Sequence, residues 1–312
     1  MIPDHRLAAL LDYVKRTQIN QCLYHNNPFI PILYSDHACD RKDFPLQPTV
    51  ELKHHSNEVW FCSFSHDGTK LVSASQDKTV IIYETGTFSV LHRLVGHEDG
   101  VARASWSPDD SKLITCSRDG KARVWDVEVT CAVPLLCVVA ARNADHVQSG
   151  RCLLTIDHRS EPVTAAAWAA DGKSFVTASL DKSLQLCHWN MQGEPVHMWS
   201  EGFRVLDCAI TFDGKRLLAA DNERKIHVYN LATHEEEYFL PLRAEALSLA
   251  VSRDSRYMLV NLAGGEIEMI DIDTTDVIRH FKGQKQKDCI IRSIFGGAAE
   301  TFVLSGSEGK KS

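Results

Sequence analysis

The feature that most constrains the fold is a polar turn that recurs along the chain at a nearly fixed step. Each copy of the turn contains an aspartate and is followed by a strand of apolar and small residues. Successive turn aspartates lie 42, 62, 42 and 41 residues apart, and they are Asp67, Asp109, Asp171, Asp213 and Asp254. A period of about 40–45 residues predicts a repeat architecture in which neighbouring units bury one another's faces.

The clearest copy is the stretch Gly96–Asp126. It contains short apolar-rich strands at Val101–Trp106, Lys112–Ser117 and Ala122–Trp125, joined by polar turns. A Gly-His pair near its start and a Trp-Asp pair at its end stand roughly 30 residues apart. This pattern resembles a WD repeat, and the resemblance implies one four-stranded blade of a β-propeller.

The repeats predict an all-β fold: a WD40 β-propeller with about five and a half of seven blades, preceded by a short α-helical segment. We divide the chain into a helical segment and linker at 1–50 and a propeller at 51–312. The sixth unit begins at Ile290–Phe295, and its second strand is Phe302–Ser305. Because this unit is unfinished, we expect that the ring does not close by itself and interpret the chain as a truncated form of a longer propeller.

Composition and charge narrow the class of protein. The chain has 312 residues, 44% of them hydrophobic, and its net charge of −7 argues against a nucleic-acid partner. Its ten cysteines show no CxxC spacing, so we expect reduced thiols in an intracellular protein, with neither disulfides nor zinc. A secretory signal is lacking, as is an apolar run of the ~18 residues that a membrane helix needs. We expect no cofactor, no metal and no membrane contact, and a location in the cytoplasm with the nucleus as a second compartment.

The N-terminal segment has a helical period over residues 3–18. Its apolar face consists of Leu7, Leu10, Leu11 and Val14. Such a face is expected to pack on the propeller or on a helical region that precedes it. Residues 19–50 show no clear period, and we interpret them as a connector with one short helix near Ser35–Lys42.

The longest step between turn aspartates indicates an insertion between blades two and three. The excess lies in Val129–Arg151, at about 130–150, and includes the apolar run Ala132–Ala141. This run is too short to span a bilayer. Three interpretations stay open: a partner-binding loop, an extra hairpin, or non-coding sequence retained in the gene.

The WD-repeat resemblance implies a hydrogen-bonded tetrad inside each blade. It joins a histidine before the first strand, a serine or threonine of the second strand, an aspartate of the next turn and an aromatic residue of the third strand. Because buried polar groups must be paired, such a tetrad rigidifies a blade. The first two tetrads are His55, Ser75, Asp77 and Tyr83, and His97, Ser117 (or Thr115), Asp119 and Trp125. The third blade offers His158, Ser179 and Asp181 with Leu186 and Cys187 at the aromatic position, and the fourth offers Glu223 without a matching histidine.

Segments outside the repeats resemble one particular family. They are IPDHRLAALLDY…QCLYHN, SDHACDRKDFP and the late segment that contains Phe295-Gly296-Gly297. These are similar to the WD-repeat scaffold subunits of the GID/CTLH E3 ubiquitin ligase, and the likeness covers nearly the whole chain apart from the insertion. In that family a helical LisH–CTLH–CRA region precedes the propeller, and only the end of such a region is recognisable here.

One rim of the predicted propeller is a candidate partner-binding surface. It consists of the loops that lead into the blades and the turns between second and third strands. Side chains next to the tetrads project there, namely Trp60, Gln76, Arg103, Arg118, Leu180, Arg204 and Asn222. Tryptophan and arginine are the residue types that dominate interface energetics.

These features together predict a non-catalytic scaffold or adaptor subunit of a GID/CTLH-type ubiquitin ligase, which supports substrate recruitment and complex assembly for proteasomal degradation. Its partners would be other ligase subunits and substrate proteins, and a homo-oligomer would form through the N-terminal region that is missing here. The alternative is a free-standing WD40 adaptor in signalling or vesicle traffic, of the G-protein β type. An enzyme is disfavoured because metal-ligand spacings, a Gly-rich phosphate loop and an isolated nucleophile motif are lacking.

Overall fold

The computed structural model describes residues 6–21, 48–128, 150–158, 161–180, 186–199, 203–286, 290–297 and 300–308. Over these ranges the chain contains one α-helix, α1 (Arg6–Gln21), and 22 β-strands. The predicted connector helix near Ser35–Lys42 and nearly all of the insertion lie outside the described residues.

Five four-stranded antiparallel sheets make up most of the described chain, and each strand pairs with the next one in sequence. The strands of blades one to three are β1 Val59–Phe64, β2 Lys70–Ser75, β3 Thr79–Glu84, β4 Val90–Val95, β5 Val101–Trp106, β6 Lys112–Ser117, β7 Lys121–Asp126, β8 Arg151–Asp157, β9 Val163–Trp168, β10 Ser174–Ser179, β11 Leu186–Asn190 and β12 Pro195–Trp199. Those of blades four and five are β13 Val205–Ile210, β14 Arg216–Asp221, β15 Lys225–Asn230, β16 Glu236–Pro241, β17 Ala246–Val251, β18 Tyr257–Leu262, β19 Glu266–Asp271 and β20 Val277–Lys282. A sixth, two-stranded sheet pairs β21 Ser293–Gly296 with β22 Phe302–Ser305.

The first strands of the six sheets follow one another around a common axis. Strand β1 contacts β5, β5 contacts β9, and the series continues through β13 and β17 to β21. Successive sheets therefore stand as radial blades, with their first strands lining a central channel. The predicted all-β propeller is confirmed, with its five full blades and an incomplete sixth.

The hydrophobic core lies between the blades. Four clusters of buried residues each combine side chains from two successive blades, from the first pair to the fourth–fifth pair. Neighbouring residues of one strand point into different clusters: Leu113 packs between blades one and two, while Ile114 packs between blades two and three. Both faces of a middle blade are thus buried, which is why its second strand is apolar at nearly every position instead of alternating.

Four of the five turn aspartates that define the repeat accept a hydrogen bond from a hydroxyl two residues earlier, and Asp171 is the exception because Ala169 stands at that position. Ser65 donates to Asp67 over 2.6 Å, and the same bond recurs at Ser107–Asp109, Thr211–Asp213 and Ser252–Asp254. Hydrogen bonds from Ser65 and Thr69 lower the pKa of Asp67 to about 2. The motif that sets the period is therefore the turn that joins the first strand of a blade to its second strand.

The insertion belongs to a different place from the one predicted. It was expected between blades two and three, but it joins β7 to β8, the third and fourth strands of blade two. Strand β8 begins at Arg151 and pairs with β7 along its whole length. The signature stretch ends at Asp126, before the fourth strand of its own sheet, so spacing alone placed the excess one strand too late.

Helix α1 does not place its apolar face on the blades. Leu7, Leu10 and Val14 are 71%, 51% and 47% exposed, so packing of this face on the propeller, one of the two expected arrangements, is not observed. In the described part of the chain, no helix is long and apolar enough to cross a membrane.

Candidate interaction surface

The polar network of blade two is a continuous hydrogen-bond chain. Trp125 Nε1–H donates to Thr115 Oγ1 over 2.8 Å, and that hydroxyl lies 2.7 Å from His97 Nε2. On its other side, His97 Nδ1 lies 2.9 Å from Asp119 Oδ2. Since a carboxylate can only accept, Nδ1 carries the proton and the Thr115 hydroxyl donates to Nε2. The hydroxyl in the chain is that of Thr115, and Ser117 takes no part.

Blade one has the same chain of histidine, hydroxyl and aspartate, with a serine in place of the threonine. His55 Nδ1 lies 2.9 Å from Asp77 Oδ2, and His55 Nε2 lies 2.7 Å from Ser73 Oγ. The predicted hydroxyl, Ser75, is replaced by Ser73 because residues two apart on a strand share a face and only the nearer one reaches the imidazole. Burial alone would raise the pKa of Asp77, but hydrogen bonds, that of His55 among them, lower it to about 2.

Blade three contains the tryptophan that sequence spacing missed. Trp189 Nε1–H donates to Thr177 Oγ1 over 2.7 Å, and the same hydroxyl lies 3.0 Å from His158 Nε2. The prediction that Leu186 and Cys187 fill the aromatic position is therefore wrong, and the hydroxyl is that of Thr177 instead of Ser179. Asp181 lies outside the described residues.

The three serines that were predicted in the tetrads have another role. Each ends a second strand and donates to a carbonyl of the loop that leads into its blade. Ser75 donates to Glu58 O over 2.8 Å, Ser117 to Gly100 O over 3.1 Å, and Ser179 to Pro162 O over 3.1 Å. These bonds fix the loops of the rim relative to the strands.

The tetrads of blades one and two are internal braces. The side chains of His97 and Asp119 are 2% and 3% exposed, and those of His55 and Asp77 are 5% exposed. Groups buried to this degree cannot reach a substrate, so these histidine–aspartate pairs hold strands together.

Blade four replaces the tetrad with a different network. Ala219 stands where blades one to three have the hydroxyl, and His227 of β15 lies between Asp221 Oδ2 at 3.2 Å and Glu236 Oε1 at 2.8 Å. Phe203 stacks on the imidazole of His227, with ring centroids 4.2 Å apart. Burial opposes protonation of His227, but the two carboxylates prevail and raise its pKa.

A cluster of three histidines lies between blades three and four. His188 Nδ1 is 3.2 Å from His234 Nε2, and the ring of His197 stacks on that of His234 at 4.4 Å. Burial and then His234 lower the pKa of His188, against an opposing effect of Asp171. Burial and then His197 lower the pKa of His234. The environment thus favours the neutral forms of His188 and His234, and the stacked rings form a contact between two blades.

The histidine cluster predicts a loss of stability in mild acid. Because the folded-state pKa values of His188 and His234 lie below their ordinary 6.5, the unfolded chain binds protons first as the pH falls. The melting temperature is expected to fall more steeply below about pH 6.5 in the wild type than in His234→Asn. Asparagine suits the left-handed backbone at this position, where φ is 61°. The prediction would be contradicted if the melting temperatures of the two proteins fell equally steeply with pH across this range.

The rim is built by one hydrogen bond that recurs in all five blades. The amide of the residue after each second strand donates to the carbonyl of the residue before each first strand. The pairs are Gln76–Glu58, Arg118–Gly100, Leu180–Pro162, Asn222–Arg204 and Ala263–Glu245, at 2.8–3.2 Å. Four predicted residues, Gln76, Arg118, Leu180 and Asn222, therefore occupy equivalent positions, and Arg204 faces Asn222. Ala263, the fifth equivalent, was not predicted because β18 carries no polar signal at its end.

Trp60 and Arg118 form a cation–π stack on this rim. The Arg118 guanidinium carbon lies 4.3 Å from the ring centroid of Trp60, and Trp60 Nε1–H donates to Glu58 over 3.2 Å. The indole packs so closely on Gly100 that a Cβ there would lie 2.5 Å from a ring carbon. The stack joins blades one and two and presents a half-buried indole beside an exposed arginine, which is a pre-organised binding feature.

Arg103 does not belong to the rim. It points into the central channel, where it pairs with Asp207 of blade four, and its side chain is only 14% exposed. It is the third residue of β5, as Asp207 is of β13, so the two meet across the axis. The prediction of Arg103 as a partner-binding residue is replaced by this internal ion pair.

Metal chemistry finds no support in the described ranges. Within them, no group of three or more His, Cys, Asp or Glu side chains is arranged to hold a metal ion. The cysteines of those ranges form no disulfide within them, and they are Cys62, Cys116, Cys152, Cys187 and Cys208.

Comparison with known proteins bears out the repeats. The family described as "WD domain, G-beta repeat" matches residues 46–84, 88–126 and 150–188. The first range covers β1 to β3, the second covers β4 to β7, and the third runs from β8 into β11. Each of the last two ranges therefore joins the fourth strand of one blade to the first three strands of the next.

Three relatives are similar over nearly the whole chain. The WD repeat-containing protein 26 homolog of Arabidopsis thaliana is 32% identical over 99% of this chain and 50% of its own length. The GID complex subunit 7 of Schizosaccharomyces pombe is 33% identical over 100% of this chain and 58% of its own length. The WD repeat-containing protein 26 homolog of Drosophila melanogaster is 31% identical over 99% and 48%. The chain thus spans about half the length of these relatives.

Proposed function

Since the chain belongs to the WD40-repeat β-propeller proteins, we propose that it is a non-catalytic scaffold subunit of a GID/CTLH-type ubiquitin ligase. The observation that carries this proposal is its similarity to a GID complex subunit 7 over the full chain, with the segment before the blades included. In this role the rim binds substrate proteins or other ligase subunits, and ubiquitin transfer is left to another subunit.

The geometry of the rim supports protein binding. Five equivalent loops are fixed by backbone hydrogen bonds, so their side chains need little ordering when a partner binds. The Trp60–Arg118 stack supplies the residue types that contribute most to interfaces. The histidine–aspartate pairs behind the rim are buried and brace it from within.

Affinity purification of the chain from its native cells tests the assignment. Co-purification of RING and CTLH-type subunits is the expected result. Recovery of G-protein or vesicle-coat proteins without those subunits would favour the free-standing adaptor instead.

The rim predicts a specific loss of binding in Trp60→Ala. Removal of a central aromatic anchor typically weakens binding by about 2 kcal/mol or more, which is roughly thirtyfold in Kd. Phe64→Ala is the matched control, because Phe64 is 60% exposed and ends β1, at the opposite end of that strand from the rim loop. Pull-down titrations with a co-purified partner measure both variants, and thermal melting checks that both are folded. Equal binding by wild type and Trp60→Ala would remove the stack from the interface.

A further inference from the structure

The side chains in the central channel carry more positive than negative charge. Along the first strands of the six sheets, the charged residues are Arg103 on β5 and Asp207 on β13. Arg292 directly precedes β21 and also reaches the channel, where it pairs with Asp207 at 2.9 Å. Two guanidinium groups from blade two and the sixth sheet therefore share one carboxylate from blade four.

The carboxylate of Asp207 has no acceptor position left for a further donor. Asp207 is fully buried, and its Oδ1 contacts Arg103 Nη1 and accepts the amide of Cys208 at 2.9 Å. Its Oδ2 accepts Arg292 Nη1 at 2.9 Å and the amide of Leu249 at 2.9 Å. These four contacts use the acceptor positions of a carboxylate, of which there are about four.

The guanidinium groups retain unused donors. Each guanidinium has about five N–H groups, and Asp207 is the acceptor for both within the described residues. Arg292 also lies over the face of the Phe61 ring, whose centroid is 5.6 Å from the guanidinium carbon. Burial lowers the pKa of Arg103 to about 9, with a further contribution from Arg292, and burial lowers the pKa of Arg292 to about 10. Both shifts are those of positive charge that is poorly compensated.

We infer that Arg103 and Arg292 bind a small oxyanion, a phosphate or a carboxylate, at the rim end of the central channel. Paired guanidinium forks match the oxygens of such anions, and a second negative charge beside that of Asp207 would balance the two guanidinium groups. In the other blades the residue that precedes the first strand lies in a rim loop, as Glu58 and Gly100 do. Arg292 precedes β21 in the same way, which places the site at the rim end of the channel. The Arg292 side chain is 23% exposed, so an anion can reach it from solution. This site is independent of the proposed ligase role.

Titration of the purified full chain with sodium phosphate, and separately with sodium acetate, tests the site. Sodium chloride keeps the ionic strength constant, so that screening does not change along the titration. Calorimetry and the melting temperature are expected to report saturable binding of at least one anion, and the tighter of the two identifies the ligand class. Absence of saturable binding for both anions would overturn the inference.

Arg292→Gln is the decisive variant, since it leaves Arg103 and Asp207 as a neutral pair. Its Kd is expected to rise about tenfold or more, because a charge-assisted contact and the surplus charge are both lost. Arg253→Gln is the matched control, because Arg253 is exposed in the turn between β17 and β18 and should bind as the wild type does. Equal binding by Arg292→Gln and the wild type would place the anion elsewhere and overturn the inference.

A second variant keeps the test valid if Arg292→Gln does not fold. Arg292→Lys keeps the charge but loses the planar fork, so binding should persist at a Kd raised several-fold. A folded Arg292→Lys protein that binds the anions as tightly as the wild type would also contradict a guanidinium site.

Discussion

Replacement of Asp207 by asparagine is expected to lower the free energy of unfolding by about 3–5 kcal/mol, as is typical when a buried ion pair loses one partner. The side chain is fully buried and is shared by Arg103 and Arg292. Asparagine keeps the shape but removes the charge, so two guanidinium ions remain in the channel without a counter-charge. Urea unfolding followed by circular dichroism measures the change.

Two further proteins identify charge as the cause of this loss. Asp276→Asn removes an exposed carboxylate between β19 and β20 and should change stability by less than about 0.5 kcal/mol. Asp207→Asn combined with Arg103→Met removes one of the unpaired guanidinium ions and should recover part of the loss. An Asp207→Asn protein as stable as the wild type would contradict a structural role for the shared carboxylate.

The second large effect is expected for Thr115→Val, which should lower the free energy of unfolding by about 2–4 kcal/mol. Valine has the shape of threonine, but His97 Nε2 and Trp125 Nε1–H both lose their partner. A buried polar group without a partner carries a desolvation penalty of about 1–3 kcal/mol. Urea unfolding of the two proteins under identical conditions gives the difference.

Matched variants distinguish the effect of breaking the hydrogen-bond network from the effect of removing any threonine hydroxyl. Thr301→Val lies on the surface and should be close to neutral, whereas Thr177→Val repeats the change in blade three and should resemble Thr115→Val. Trp125→Phe should cost less in the Thr115→Val protein than in the wild type, since the indole N–H is already unpaired there. Additive effects of the two substitutions would show that the residues do not act as a chain.

The blades could be predicted because the information for them is local. The turn aspartate, the hydroxyl two residues before it and the apolar strand after it recur within about ten residues. The sheet that such a unit forms is a meander, so each strand finds its partner next along the chain. The fourth strand of blade two could not be assigned in this way, because the insertion separates β8 from β7 in the sequence.

The tetrads were only partly accessible to sequence reasoning. Thr115 and Ser117 share a face of β6, and spacing does not tell which one meets the imidazole. In blade three the tryptophan follows its hydroxyl by 12 residues, compared with 10 in blade two, so a constant offset passes over Trp189. Blade four lost the hydroxyl and gained the Asp221–His227–Glu236 network, which has no counterpart in the repeat pattern.

The amino-acid sequence by itself determined the repeated blade. The turn, the strands and the pairing of neighbouring strands all depend on residues that are close in sequence. What only the tertiary structure decided is the centre of the ring. Arg292 and Asp207 are 85 positions apart, and they meet only after the intervening blades have packed. Arg103 looks like a surface residue in its own blade, because the partner that buries it comes from across the axis. A local pattern carries no record of such a contact, whose energy arises from desolvation in a channel that exists only when the blades are assembled.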